Sequence, residues 1–283
     1  MSKAKNDFYQ ELQAFVQTLE TYVSTEDGQW TLKGFIDTYK NIYSISTDTK
    51  VVSKILEIHL LPKIFTFAEK IGYDVVLAEQ QNYYPDLSFV NQKDENIKFA
   101  VDLKTTYRDE DYPGFCNGFT LGSHGSYFVN RDVKARFIQF PYGDYLGHFC
   151  LGIIYSRANG VHSAETQTHT LSELQSITSV IGNFQFFAAE KWRIASDIGG
   201  SGNTANIGSI EYIDDILAGN GVFRDLGEDW FDDYWMNYKK ITVKTNKGKT
   251  KLLTSLEELI KYRGGDVNLI VPKPRKSKKK KNG

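Results

Sequence analysis

The sequence predicts an α/β protein, and three observations carry the prediction. Apolar residues recur at helical spacing near the N-terminus and again over 49–70, a strict two-residue alternation runs from Ile97 to Leu103, and a polar turn-forming segment joins that alternation to a second apolar run. With 283 residues, 41% hydrophobic and 14% aromatic, the chain is long enough to bury a sizeable core as one large domain or two small ones.

In chain order, Phe8, Leu12, Phe15, Leu19 and Tyr22 predict one amphipathic N-terminal helix. A short strand, Trp30 to Ile36, is expected after the Asp27-Gly28 turn. Val52, Ile55, Leu56 and Leu60 set a second helix over 49–70, which Pro62 is expected to kink or divide. Leu87–Val90 and Ile97–Leu103 read as a hairpin across the polar connection Asn91–Asn96, the second strand having one buried face. Trp230, Phe231, Tyr234, Trp235 and Tyr238 recur at helical spacing and read as core packing rather than a base-stacking platform. There are no internal repeats.

Composition removes several classes of function. The N-terminus has no apolar signal core, and the longest apolar run, Phe149 to Tyr155, is far short of a membrane span, so a soluble intracellular protein with no membrane partner is expected. Cys116 and Cys150 have no paired spacing, which argues against a disulfide framework and an ordinary zinc site, and the five histidines are scattered. The net charge is −1, but the segment from Pro272 holds seven basic residues and no acid. Residues 1–271 therefore carry 27 basic against 35 acidic residues, about −8. The basic end reads as a solvated, disordered tail able to add sequence-independent attraction to phosphates.

Chemistry concentrates in two stretches. Asp102 and Lys104 share one face of the alternating strand, and the hairpin brings Asp86 across to Asp102. Two converging carboxylates repel each other, and a shared proton or an oxygen-bound divalent cation relieves this. Lys104 would then orient or polarise a water. The stretch DIGGSGNTANIGS, Asp197–Ser209, fits G-x-G-x-x-A at Gly200, Gly202 and Ala205, but the residues after it hold another glycine and further turn formers instead of opening a long helix. Its backbone is suited to close approach to a groove, and Asn203 has the amide for a bidentate pair of hydrogen bonds to adenine.

QQNYYPD (80–86), VDLKTTY (101–107) and GSGNTANIGS (200–209), with DTK (48–50), FTLG (119–122), KW (191–192) and DYW (233–235), resemble the PD-(D/E)XK restriction endonucleases, in order, from about residue 46 to 240. The resemblance implies a mixed β-sheet flanked by helices, a homodimer on double-stranded DNA, and one strand cut by each subunit. It implies Mg²⁺ held by Asp86 and Asp102 with the Leu103 carbonyl, Glu57 approaching from a helix, and Lys104 as the motif lysine. Without the resemblance, Glu57 reads as a carboxylate at the edge of an apolar helix face. For DNA it implies a major-groove loop of Gly200, Ser201, Gly202, Asn203 and Thr204, a minor-groove approach by Gln81 and Asn82, and backbone or base-step contacts from Thr49, Lys50, Thr105, Thr106 and Ser126. It further implies the palindrome GATATC cut centrally to blunt ends, in the cytoplasm of a prokaryote that also makes the cognate methyltransferase. Tyr83, Ala205 and Met236 depart from the pattern.

On this reading residues 1–45 are an N-terminal helix and strands for dimerisation, 46–271 the endonuclease core with its recognition loops, and 272–283 the tail. The competing functions are a repair or recombination nuclease without strict sequence specificity and a non-enzymatic DNA-binding module.

Overall fold

The structure, a computed structural model, describes residues 2–80, 82–158, 167–200, 205–244 and 249–277. Its first half runs α1 (Lys3–Val16), α2 (Leu19–Val23), β1 (Gly34–Ile36), β2 (Asn41–Ser44), α3 (Thr49–Lys70), β3 (Tyr73–Leu77), β4 (Leu87–Asn91), β5 (Lys98–Tyr107), β6 (Thr120–Ser123) and α4 (Ser126–Val129). There follow β7 (Tyr145–Arg157), β8 (Thr168–Thr170), β9 (Ile181–Glu190), β10 (Ala195–Gly199), β11 (Asn206–Ser209), α5 (Ile213–Ala218), α6 (Glu228–Met236), β12 (Thr242–Lys244), β13 (Thr250–Leu252) and α7 (Leu256–Arg263).

A five-stranded mixed sheet, ordered β3-β4-β5-β7-β9, forms the centre. Only β5 and β7 run parallel, and the other pairs are antiparallel. One face is covered by α1, α2 and α3. Phe8 of α1 stacks on Phe99 at 4.2 Å between ring centroids, and Leu56, Leu60 and Ile64 of α3 are fully buried in the same cluster. The other face is covered by Trp192, Phe231, Trp235 and Ile260, from segments far along the chain. Two smaller sheets, β1-β2-β8 and β10-β11-β6, flank this core.

Three expectations change on folding. The single N-terminal helix is two, because the chain tightens at Gln17-Thr18, where the Thr18 hydroxyl donates to the Phe15 carbonyl at 2.7 Å. Of the strand expected over 30–36 only Gly34–Ile36 forms; Trp30 makes an isolated bridge to Ser24 and is buried as a core side chain. α3 continues through Pro62, which lies on the exposed side, so that the carbonyl it leaves unpaired faces water while Leu60 and Ile64 anchor either side. Asp48 caps this helix, accepting the amides of Lys50 and Val51.

The strand β5 is also not half-exposed as its alternation predicted. Phe99, Ala100, Val101 and Asp102 are all buried, because both faces of the central sheet are covered. Of the late aromatic stripe, Trp230 to Trp235 lie in α6 and Tyr238 just past its end; Phe231, Tyr234 and Trp235 are buried in the core, and Trp230 and Tyr238 pack against it. Both cysteines are free and buried. In the tail, Lys273 is paired with Asp197 and Lys276 with Glu211 at 2.6 Å.

Gly152 of β7 lies between Lys104 of β5 and Phe187 of β9 in register. A Cβ there would sit 1.9 Å from the Phe187 ring, which lies across the glycine. Gly152→Ala therefore displaces that ring next to the site, with an expected loss of roughly 1 to 3 kcal/mol from overpacking. Urea unfolding checks this, and an unchanged midpoint would contradict the packing.

Candidate active site

The hairpin β4-β5 brings the first carboxylate to the second. Leu87 pairs with Val101, so Asp86, one residue earlier, reaches the row occupied by Asp102. The Asp86 amide donates to Asp102 Oδ1 at 3.3 Å, and the Leu103 amide donates to Asp86 Oδ2 at 2.8 Å. Lys104 Nζ is ion-paired with Asp102 Oδ2. Asp102 is 5% exposed, so this is a buried charge cluster at the strand's midpoint.

Burial and the adjacent Asp102 charge push the Asp86 carboxyl up to about 8, against the pull of Lys104. Burial works the same way on Asp102, but the charge and hydrogen bond of Lys104 outweigh it and hold that carboxyl below the usual range. The Lys104 ammonium is raised despite burial by Asp102 and Asp86. Near neutral pH the Asp86 carboxyl holds a proton, and once it gives that proton up the site carries more negative charge than its one ion-paired lysine neutralises. Two carboxylates with this surplus suit a hard divalent cation, whose shell backbone oxygen, water or phosphate oxygen completes. Among the described residues no three His, Cys, Asp or Glu side chains form a ready-made metal cage.

Glu57 stands off from the pair. It projects from α3 and is ion-paired with Lys54 at 2.8 Å. It nevertheless shares a cavity of about 130 Å³ with Ser53, Asp86, Leu103, Lys104 and Thr105. That cavity adjoins a cleft of about 860 Å³ lined by Thr49, Lys50, Lys54, Glu57, Gln80, Asp86, Thr105, Thr106, Asn117 and Arg157 among others. The structure therefore brings Thr49, Lys50, Thr105 and Thr106 together with the carboxylates. Thr106 is itself buried, its hydroxyl donating to the Asn117 carbonyl, and the Thr105 hydroxyl is bonded to Ser53. Ser126 opens α4 and is not among the residues lining the cleft.

Asn82 is exposed in the loop leading to Tyr84, and Gln81 lies outside the described residues. Within Asp197–Ser209, β10 and β11 pair antiparallel, and the Gly200 amide donates to the Asn206 carbonyl at 2.9 Å. Asn206–Ser209 is strand where the dinucleotide fingerprint needs the body of a long helix, so that fingerprint is excluded. Ser201, Gly202, Asn203 and Thr204 lie outside the described residues.

Sequence reasoning missed Arg157 and Asn117. Arg157 ends the long apolar strand β7 and lies over the Tyr107 ring at 3.6 Å, at the cleft wall. A basic residue closing an apolar run was the available signal.

A mixed sheet flanked by helices, with two acids and a lysine meeting beside a cleft lined by charged residues of both signs, has the architecture of a restriction-endonuclease-like hydrolase. Comparison with known proteins narrows this. The family model for restriction endonuclease EcoRV matches residues 26–264. The type II restriction enzyme EcoRV of Escherichia coli is 36% identical over 222 residues, which span 78% of this chain and 87% of that enzyme. The chain belongs to the EcoRV restriction endonuclease family and is a type II site-specific deoxyribonuclease acting on DNA. Among the described residues no helix is long and apolar enough to cross a membrane.

The raised Asp86 carboxyl makes a pH prediction for the metal-free protein. A group whose folded pKa lies above its unfolded value contributes stability that is complete below the unfolded value, near 4, and lost as pH rises through about 8. Asp86→Asn removes that loss, so relative to the parent it gains stability between pH 5 and pH 8, by roughly 1.4 kcal/mol at most per pH unit. Urea unfolding at the two pH values checks this; parallel pH dependence in parent and variant would contradict it.

Proposed function

We propose that the chain hydrolyses duplex DNA at the palindrome GATATC, cutting centrally to blunt ends, with Mg²⁺ as cofactor. The observation that carries this reading is the convergence of Asp86, Asp102 and Lys104 beside the cleft. Endonucleases of this family are generally dependent on a divalent metal. Asp86 and Asp102 would hold the ion, with the Leu103 carbonyl as a further oxygen and Glu57 approaching from α3. Bound there, the ion offsets charge on the scissile phosphate and lowers the pKa of water.

The protein's own groups supply the rest. A phosphodiester is an anion whose hydrolysis gathers further charge on the non-bridging and leaving oxygens, so a cation fixed in advance stabilises the transition state more than one recruited from solvent. Asp102 and Asp86 keep Lys104 protonated, so it is such a cation, held beside the attacking water. Lys50 and Arg157 give the cleft positive charge for the phosphate backbone, and the hydroxyls of Thr49 and Thr105 lie on the same walls.

Specificity on this reading belongs to Gly200 to Thr204, between β10 and β11 in the sequence, which would enter the major groove, and to Gln81 and Asn82 on the minor-groove side. A palindrome is matched by a two-fold pair of reading loops, so the active species is a homodimer, with residues 1–45 contributing to its interface. Bending at the central TA step, which unstacks readily, adds discrimination without direct contact. The enzyme works in the cytoplasm of a prokaryote, beside a methyltransferase that protects host sites. The alternative of a nuclease without strict specificity is set aside by membership of a site-specific family.

Digesting plasmid DNA with Mg²⁺ and sequencing the ends is the direct test: blunt ends within GATATC are expected, and ends at another site or scattered along the plasmid would overturn the assignment. Asp102→Ala is expected to remove cleavage while leaving the circular dichroism of the fold unchanged. Asn203→Ala should lose roughly 1 to 3 kcal/mol of discrimination per half-site. Were it to spare single-base variants as sharply as the parent, Gly200 to Thr204 would not be the reading element.

A further inference from the structure

Lys191 follows the last residue of β9, and its side chain turns into the core on the face that carries Asp102. Across the sheet, Asp102, Cys150 and Ala189 occupy one row, and Lys191 lies two residues beyond Ala189. It is 2% exposed, and among the described residues its ammonium has no hydrogen-bond partner. Three ring faces surround it instead, with centroids 4.7 Å (Tyr84), 5.2 Å (Phe128) and 5.3 Å (Tyr142) from Nζ. Tyr84 is itself bonded to His148 at 3.0 Å and stacked on Tyr127, so the cage is fixed. Burial lowers this lysine to about 8, and the field of Asp102 opposes that, which keeps it a cation at pH 7. Packing gives no reason for a charge here, because a methionine fills a similar volume without desolvating an ion. Charge is therefore what the position retains.

We propose that Lys191 is a positioning residue, a built-in counter-cation that acts through Asp102 and stands in for part of the charge a divalent ion brings to the Asp86–Asp102 pair. The inference rests on the reading that these carboxylates hold such an ion. With Lys104 it places two ammonium groups beside the Asp86–Asp102 pair, so the pair stays assembled before an ion arrives. An incoming cation then meets a weaker attractive field than the two acids alone would present. Removing the Lys191 charge should strengthen cation binding, and linkage makes that visible as a larger metal-dependent gain in stability.

The test is urea unfolding of the DNA-free protein across a Mg²⁺ titration for the parent, Lys191→Met and Asp102→Asn, with calorimetric Mg²⁺ binding on the same three proteins. Lys191→Met is expected to bind Mg²⁺ at least about threefold more tightly than the parent, since it removes a like charge in a poorly screened interior, and to gain more stability on adding it. Asp102→Asn is expected to lose the response. An identical Mg²⁺ response in Lys191→Met and parent overturns the proposal while the metal site stands. Failure of Lys191→Met to fold with or without Mg²⁺ also overturns it, by making the side chain a packing requirement. If Asp102→Asn responds as the parent does, or the parent does not respond, the metal-site reading fails and the counter-cation falls with it.

Discussion

The repulsion between Asp86 and Asp102 is the constraint around which the rest of the molecule is arranged. Two carboxylates in a covered sheet are unfavourable unless something compensates them. The fold nevertheless holds them together by main-chain geometry: the register of β4 on β5 brings them side by side, and each accepts a backbone amide, Asp102 from Asp86 and Asp86 from Leu103. Lys104 offsets part of the charge from the same strand face. The proposed cation site draws on the charge left over when Asp86 gives up its proton, in the same burial that makes the pair costly.

Rigidity is supplied by the layers on either side. Phe8 stacked on Phe99, and the buried row from Leu56 to Ile64 on α3, fix the back of β5. Trp192, Phe231 and Trp235 belong to the core on its front. Asp102 and Lys104 sit on β5 and Asp86 directly before β4, whereas the residues proposed to read DNA fall between strands in the sequence, a division that lets contacts vary while the groups proposed to react stay in place. The glycine of β11 has a packing reason: a Cβ on Gly208 would come within 2.5 Å of the Ile198 carbonyl oxygen of β10.

Much of this was legible because it depends on local periodicity. Alternation from Ile97 to Leu103 put Asp102 and Lys104 on one face, and the turn formers at 91–96 implied the partner strand that carries Asp86 to them. The bounds of α3 followed from its apolar spacing. What was not legible depends on contacts distant in sequence. Ala100 and Asp102 looked like an exposed face because a small residue and an acid carry no apolar signal, and their cover comes from residues beyond 120. Lys191 could be read only as part of a two-residue resemblance, since its burial is the joint work of Tyr84, Phe128 and Tyr142, from separate segments. The standing-off of Glu57 reflects its neighbour Lys54 one helical turn away, a pairing that spacing permits but does not require.

The central claim is that the surplus negative charge of Asp86 and Asp102 exists to hold a divalent cation at the scissile phosphate. Crystals of the protein on a duplex containing GATATC, grown with Mn²⁺ and measured at a wavelength where manganese scatters anomalously, test it most directly. The account predicts an anomalous peak ligated by Asp86 and Asp102 and touching a phosphate oxygen. A complex in which both carboxylates remain occupied by Lys104 and backbone amides alone, with manganese bound elsewhere, would contradict it.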